Sequence, residues 1–340
     1  MKRLFLIFAA AAASMMVSCK KENTINPETG EGNTPNVIVT KAVGDKTPHT
    51  LVYVETNDVN PLNAGDYYLG ENTFFDYVCL FASNIHKTTV DGGVVQPTLY
   101  FNPELAPYLC CNGTGVEDYI EPLQDKGIGV LLGVLGDWQN IGLSNMNTTQ
   151  QEQFATILAY VIEQCGLDGV VFDDEYSGTA SVVNGSYSNI ILKLRQLLPD
   201  TKIVVFDWGG TSYISSTAAA QIDYANHGYF GGYYLSTYYS NITGMNNARW
   251  SPISLELGGS YTYSTSSLST WASNAVNNTY GEMMFFNLRP ISDYNPTSYL
   301  QALATGAGWG TVTCNNGDRA QDITPIEGGC TVTYAMATAN

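Results

Sequence analysis

Residues 167–176 read Leu-Asp-Gly-Val-Val-Phe-Asp-Asp-Glu-Tyr. The apolar run 169–172 is short and unbroken, which is typical of a strand buried on both faces of a parallel sheet. Three acidic residues follow it directly. Because alternate side chains of a strand share a face, we expect Asp173 and Glu175 to point to one side, with Val171 behind them, and Asp174 to point to the other.

The acidic strand end is a candidate catalytic site. Two carboxylates this close together cannot both ionise freely, so one pKa rises. A protonated Glu175 beside an ionised Asp173 is what general-acid cleavage of a glycosidic bond requires. The competing interpretation is an acidic loop that binds solvent or calcium. The buried strand before the acids favours catalysis, because barrel enzymes carry their chemistry at such strand ends.

The rest of the chain repeats this type of strand. Seven more short runs rich in Val, Ile, Leu, Phe and Tyr are predicted strands: 51–55, 77–83, 127–136, 202–208, 224–230, 253–257 and 283–288. Eight such strands separated by longer segments predict an α/β fold, a (β/α)8 TIM barrel over residues 48–308.

Helices are predicted in only part of the barrel. Residues 149–165 begin with a Thr-Gln-Gln-Glu capping pattern, repeat apolar residues at helical spacing and stop at Gly166. A second helix is predicted at 190–198. Segments such as 235–250 lack a helical period, so loops are expected to replace some helices. Residues 309–340 contain β-prone runs and predict a short C-terminal β-hairpin tail.

The N-terminus carries the pattern of an export signal. Residues 1–18 have a basic start, a short apolar core and small residues before Cys19, which resembles the bacterial lipobox with its lipidated Cys. An ordinary signal peptide with an incidental Cys is the alternative. Residues 19–47 are polar and contain Pro and Gly, which predicts a flexible tether. We expect an exported bacterial lipoprotein on the outer membrane or cell surface, or facing the periplasm, that touches the membrane through its lipid only.

Composition narrows the class of partner. The 340 residues carry 14 Lys and Arg against 31 Asp and Glu, a formal charge of −17, and 44% are hydrophobic. That hydrophobic fraction excludes a disordered or fibrous protein. Nucleic-acid binding is not expected, because phosphate contacts need clustered basic residues. The many neutral polar residues and 23 Tyr favour a hydroxyl-rich ligand such as a carbohydrate. No sequence feature argues for an oligomer, so a monomer is expected.

Six cysteines follow residue 19. Cys79 and Cys165 lie in apolar segments and are expected to be small buried side chains. Cys314 and Cys330 flank a polar loop, so a disulfide between them is plausible in an exported protein. The adjacent pair 110–111 is expected to be free rather than joined to itself. Zinc-type spacing is absent and His is scarce, so neither a metal site nor a cofactor is expected.

The acidic strand end resembles the DGxDxDxE signature of glycoside hydrolase family 18. The wider match is to endoglycosidase H and its F-type relatives, with similar segments in the same order at 53–57, 80–85, 130–136, 167–176 and 223–229. The resemblance spans about residues 50–308 and leaves out the tether and the tail. It implies an endo-β-N-acetylglucosaminidase that cuts the β1,4 bond between the two core GlcNAc residues of Asn-linked glycans, on free glycans or glycoproteins.

The resemblance also implies roles for three residues in substrate-assisted, retaining catalysis. Glu175 is the expected general acid and afterwards the base that activates water. Asp173 is expected to hold the acetamide N–H of the substrate, and Tyr229 to hydrogen-bond the acetamide oxygen. The acetamide carbonyl itself attacks C1, an intramolecular step that avoids the entropy cost of bringing in a second reactant.

Val171 departs from the signature, which places an Asp at this position. That Asp normally shares a proton with the next one, whereas here Asp173 faces a hydrocarbon. Desolvation raises the pKa of Asp173 and the lost like-charge repulsion lowers it, so the net sign stays open. We expect an enzyme that is active but slower, or shifted in its pH optimum.

Other residues at predicted strand ends are candidates for sugar contacts: Glu55, Asn84, Trp138, Gln139, Trp208, His227 and Asn287. Either Trp could stack on a pyranose face, with core packing as the equal alternative, and a lone His is more often structural. Two other functions stay open. A non-catalytic, lectin-like barrel is favoured by Val171 and opposed by the retained acid. A chitinase is opposed by the endoglycosidase-like segments.

Overall fold

The computed structural model describes residues 46–178 and 181–339. The predicted signal peptide, the lipidated Cys19 and the tether up to residue 45 lie outside these ranges. Within them, no helix is both long enough and apolar enough to cross a membrane.

Eight parallel strands form a barrel, which confirms the predicted (β/α)8 architecture. They are β1 (His49–Glu55), β2 (Tyr77–Val90), β3 (Gly129–Gly136), β4 (Gly169–Asp173), β5 (Lys202–Asp207), β6 (Tyr224–His227), β7 (Trp250–Ser251 with Ile253–Glu256) and β8 (Glu282–Phe286). Strands β1 to β6 pair in chain order, and β8 pairs with β1. The carboxyl ends of all eight therefore meet at one end of the barrel.

The ring closes through a split strand. Trp250–Ser251 pairs with β6, and Ile253–Glu256 pairs with β8. Pro252 separates the two pieces, and because it has no N–H to donate, the ladder breaks there. Gly232–Tyr233 adds antiparallel to the second piece.

Four helices of more than ten residues cover the barrel: α1 (Thr148–Cys165), α2 (Ser186–Leu197), α3 (Thr265–Asn277) and α4 (Thr297–Ala307). The first two confirm the predicted helices, and α1 stops at Gly166 in the left-handed conformation as expected. Its N-cap is Asn147 with Gln150, two residues before the predicted capping pattern.

Loops and short turns replace helices elsewhere in the described chain, as predicted. The short helical pieces are Pro61–Asp66, Asp91–Gly93, Ala106–Tyr108, Cys110–Asn112, Val116–Ile120, Glu121–Gln124, Gly209–Tyr213, Ser216–Ala219, Ser236–Tyr239, Asn247–Arg249 and Tyr334–Thr338.

The C-terminal tail does not form the predicted hairpin. Its strand Val312–Cys314 pairs with Tyr67–Leu69, which also pairs with Asn72–Thr73. Its strand Cys330–Thr333 pairs instead with Val94–Phe101, an outer strand antiparallel to β2. The two tail strands find open edges in separate sheets, so the segment between them crosses the barrel surface. Arg319 anchors that segment with two hydrogen bonds to Asp66, at 3.0 and 3.1 Å.

The cysteine pairing also differs from the prediction. Cys111 is joined to Cys330 and Cys110 to Cys165, while Cys314 is a free thiol. The predicted bridge from Cys314 to Cys330 is wrong, because the tail strands that carry these residues lie in different sheets. The expected free pair 110–111 and unpaired Cys165 are corrected too, since α1 ends beside Cys110. Cys79 is a buried thiol, as expected.

The barrel interior is packed rather than open. Its buried side chains are Leu51, Tyr53, Tyr77, Cys79, Leu131, Val171, Val204, Phe206 and Met284. Val171 is fully buried in this cluster. A hydrocarbon layer therefore lies below Asp173, and no second carboxyl stands directly behind it on β4.

Deeper in the barrel, a polar chain crosses the core. The Tyr53 hydroxyl donates to Asn226 Oδ1 at 2.9 Å, and Asn226 Nδ2 donates to Glu282 Oε2. Glu282 is fully buried, and its Oε1 has no hydrogen-bond partner. Burial raises the pKa of Glu282 to about 8, against the lowering effects of Asn226 and Lys202. The carboxyl therefore holds its proton at neutral pH.

We expect this proton to make stability fall as the pH rises. The unfolded chain loses it near pH 4.5 and the folded protein near pH 8, so the folded state binds the extra proton between these values. Glu282→Gln should unfold like the wild type at pH 4 and be roughly 4 kcal/mol more stable at pH 8. Urea unfolding at both pH values measures this, with the exposed Glu71→Gln as control. An equal pH slope in wild type and Glu282→Gln would contradict the assignment.

Candidate active site

A cavity of about 310 Å³ opens at the carboxyl ends of the strands. Its lining residues are Tyr53, Glu55, Phe81, Leu135, Asp173, Glu175, Tyr176, Phe206, Phe230, Met284 and Phe286. Apolar and aromatic walls with three carboxylates on them are typical of a ligand site. The acidic strand end therefore lies in the cavity wall.

Asp173, the last residue of β4, and Glu175, two residues after it, both line the cavity. Asp173 is 3% exposed, and its Oδ1 has no hydrogen-bond partner. Burial raises the pKa of Asp173 well above its usual value, and the charges of Glu175 and Asp174 add to the effect. Burial also raises the pKa of Glu175, which is half-buried, against a hydrogen bond from Tyr176. Two neighbouring carboxyls thus face the cavity in an environment that favours their protonated forms.

Asp174 points away from the cavity, as the strand alternation predicts. Its Oδ1 accepts the Leu143 N–H at 3.0 Å, and its Oδ2 accepts the Ser144 hydroxyl. These bonds tie the loop after β3 to the end of β4. Asp174 is therefore placed to hold the loops that surround the site.

Trp138 and Tyr176 form an aromatic pair, and Tyr176 directly follows Glu175 in the chain. The backbone N–H of Trp138 donates to the Tyr176 carbonyl, and the centroids of the two rings lie 5.7 Å apart. Trp138 and Tyr176 have φ of 53° and 57°, a left-handed conformation that is costly for non-glycine residues. Gly136 lets the backbones come this close, since a Cβ there would overlap the Glu175 carbonyl. Trp138 is nevertheless 69% exposed, so packing does not account for its placement.

A second aromatic pair follows β5 and β6. Trp208 and Tyr229 meet edge to face at 5.0 Å. Tyr229 is 57% exposed, and Phe230 beside it lines the cavity wall. The Tyr229 ring is therefore exposed beside Trp208 and is not among the cavity's lining residues.

Of the other residues predicted to contact sugar, only some line the cavity. Glu55 lines the cavity, and burial together with Asp58 raises its pKa. Asn84 and Asn287 are outside the wall and hold loops: Asn84 donates to the Gly136 carbonyl at 3.3 Å, and Asn287 donates to Glu256 Oε1 at 3.2 Å. Gln139 is half-buried beside Trp138 and is also absent from the wall.

His227 does not line the cavity either. Its side chain is buried behind Tyr229, with its ring 3.9 Å from that of Tyr234. Sequence reasoning had also missed most of the apolar wall, such as Tyr53, Phe206 and Phe286. The available signal was the strand period, because Tyr53 precedes Glu55 by two residues and shares its face.

The chain is similar to two bacterial glycosidases. Endo-beta-N-acetylglucosaminidase F1 of Elizabethkingia meningoseptica is 30% identical over 260 residues, which cover 71% of this chain and 74% of that protein. An endo-beta-N-acetylglucosaminidase of Flavobacterium sp. (strain SK1022) is 33% identical over 261 residues, covering 73% and 77%. No protein-family profile matches the chain.

A solved structure with the same architecture is EndoBT-3987 of Bacteroides thetaiotamicron, in a form with a Man5GlcNAc product. The TM-score is 0.64 at 27% identity, and the match covers 81% of this chain but 65% of that one, just under two thirds. A second structure of the same protein, at 25% identity, holds a Man9GlcNAc2Asn substrate.

Asp174 should stabilise the loops at the site. Asp174→Ala leaves the Leu143 N–H and the Ser144 hydroxyl without their acceptor, so we expect a loss of about 2–3 kcal/mol in the free energy of unfolding. Chemical denaturation measures this loss. Asp200→Ala, at an exposed position, is the control and should stay within about 0.5 kcal/mol of wild type. Equal effects of the two substitutions would contradict the role given to Asp174.

Proposed function

Because the chain belongs to the endo-β-N-acetylglucosaminidases of glycoside hydrolase family 18, we propose that it hydrolyses the β1,4 bond between the two core GlcNAc residues of Asn-linked glycans. The substrate and product bound to EndoBT-3987 support this choice of bond. The observation that carries it in this chain is the buried, unpartnered Asp173 Oδ1 beside Glu175 in the cavity wall.

We propose that Glu175 is the proton donor and acceptor. Burial raises its pKa and so favours the protonated form, from which it can give its proton to the glycosidic oxygen as the bond to C1 breaks. The acetamide oxygen of the substrate bonds to C1 at the same time, forming a cyclic oxazolinium ion. Glu175, now ionised, then takes a proton from water, which attacks C1 and reopens the ring. Two displacements at C1 retain its configuration.

Asp173 is suited to hold the acetamide group. Its Oδ1 has no hydrogen-bond donor among the described residues, and burial favours the protonated carboxyl. The acetamide N–H supplies that donor, and the positive charge that develops on the oxazolinium ion favours the carboxylate. The interaction therefore strengthens toward the transition state.

The exposed rings are proposed to hold the sugar. Tyr229 is exposed beside Trp208, and its hydroxyl is proposed to donate to the acetamide oxygen. Trp138 and Trp208 present rings of the kind that stack on pyranose faces. The strained backbone of Trp138 supports a binding role over a packing role, because strain of this kind is concentrated at functional sites.

A non-catalytic, glycan-binding barrel is the second candidate, because Val171 replaces the proton-sharing Asp of the signature. Glu175 and Asp173 oppose it, since both face the cavity. A chitinase is a weaker alternative, as both curated relatives are endo-beta-N-acetylglucosaminidases.

Incubation with a high-mannose glycoprotein, followed by mass spectrometry, tests the function. We expect a product that keeps one GlcNAc at each site. Glu175→Gln should lower kcat by at least about 10³-fold with binding preserved, because the proton donor is lost. The exposed Glu163→Gln serves as the control and should cleave like the wild type. Binding without cleavage by the wild type would favour the lectin, and cleavage of chitin oligosaccharides alone would favour the chitinase.

Val171→Asp should return a proton-sharing partner to Asp173. We expect kcat to rise about threefold or more, with a shifted pH optimum, because two adjacent carboxyls titrate as a pair. A pH profile of kcat on one glycopeptide measures this. Val171→Asn is the matched control, polar but without a titrating proton, and should keep the wild-type profile. An unchanged rate and pH profile in Val171→Asp would refute the idea.

A further inference from the structure

The backbone at Tyr229 is held by a buried imidazole. The Tyr229 N–H donates to His227 Nδ1 at 3.0 Å. Nδ1 also lies 3.4 Å from the Tyr229 carbonyl. Because a backbone N–H cannot accept a hydrogen bond, the shorter contact requires an Nδ1 without a proton. The ring is therefore neutral, with its proton on Nε2.

The imidazole is itself fixed from several sides. Its ring stacks on Tyr234 at 3.9 Å, with Tyr239 edge-on at 5.2 Å and Trp250 at 6.0 Å. The His227 carbonyl accepts the Ser254 hydroxyl at 2.9 Å. Strand β7 and the segment between β6 and β7 thus set the position of Nδ1.

The turn between His227 and Tyr229 is tight. A Cβ on Gly228 would lie 2.8 Å from the Trp208 ring and 2.9 Å from the Asp207 carbonyl. The segment therefore has little room to shift, and the hydrogen bond to His227 sets the direction in which Tyr229 leaves the strand.

We infer that His227 is a positioning residue for Tyr229, whose backbone it holds by accepting the Tyr229 N–H. The inference rests on the proposed function, in which Tyr229 orients the acetamide for attack on C1. His227 touches no substrate. It acts only through the backbone of its neighbour.

The contact should also depend on pH. Burial lowers the pKa of His227, and the Tyr229 backbone carbonyl at 3.4 Å and the charge of Asp207 oppose this. The groups around the ring are Tyr229, Tyr234, Tyr239 and Asp207, of which Asp207 is the charged one; its oxygens accept from Thr211 and Asn241. Protonation of His227 puts a hydrogen on Nδ1, so that two donors, Nδ1–H and the Tyr229 N–H, face each other. The contact is therefore intact at neutral pH and lost as the pH falls through the lowered pKa.

Two substitutions separate the role of His227 as a hydrogen-bond acceptor from the role of its ring in packing. His227→Phe keeps the ring on Tyr234 and removes the acceptor, whereas His227→Asn keeps an acceptor and cannot titrate. We expect His227→Phe to lower kcat about tenfold with KM within about twofold, because an interaction made in the transition state is lost. His227→Asn should stay within about threefold of wild type at pH 7 and fall less steeply at acid pH.

A double-mutant cycle with Tyr229→Phe tests the coupling. If His227 acts through Tyr229, His227→Phe should cost less than about twofold once the Tyr229 hydroxyl is gone. An equal cost in both backgrounds, with an equal fall in Tm, would show a merely structural role and overturn the inference. Full activity of His227→Phe would do the same.

A measurement without turnover keeps this result separate from the proposed function. ¹⁵N NMR of the His227 ring at pH 7 should show an unprotonated Nδ1 and a protonated Nε2. A proton on Nδ1 would overturn the inference even in an active enzyme. A wild type that cleaves no N-glycan would overturn the role of Tyr229 in catalysis, and with it the functional part of the inference.

Discussion

The alternation of side chains along β4 is the constraint on which the site depends. An extended strand sends neighbouring side chains to opposite faces, so one acidic run serves two purposes. Asp173 and Glu175 face the cavity, and Asp174 faces the loops that frame it. A shift of one residue would exchange these roles and leave a single acid in the cavity. The packed barrel prevents that shift, because Val171 on the same face is fully buried among apolar side chains.

Burial then decides the chemistry of these acids. A carboxylate removed from water without donors is costly, so the proton is retained instead. At Asp173 and Glu175, burial therefore favours carboxyl groups that can accept an N–H group and donate a proton. Burial raises the pKa of Glu282 in the same way, but Glu282 lies deep in the barrel and does not line the cavity. Burial alone therefore does not mark a catalytic acid; access from the cavity separates the two cases.

The aromatic residues divide in a similar way. Tyr53, Phe206, Phe286 and Tyr176 line the cavity. Trp138, Trp208 and Tyr229 are not among the lining residues and form a rim at the strand ends. The rim rings are partly exposed and held by backbone contacts, as at Trp138, whose N–H donates to the Tyr176 carbonyl. A rigid rim lowers the entropy cost of ordering a sugar against it.

The sequence by itself determined the strands, the helix α1, the barrel and the acids of β4. Each of these is encoded by a local period, because a strand repeats every two residues and a helix every 3.6, whatever lies elsewhere in the chain. Only the tertiary structure decided the partners of Cys111 and Cys330, the separate sheets of the tail strands, and the place of His227 behind Tyr229. Those contacts join segments far apart in the chain or depend on which side of a turn a ring occupies. No local pattern records them, since the edges and cavities that select these contacts exist only once the barrel has closed.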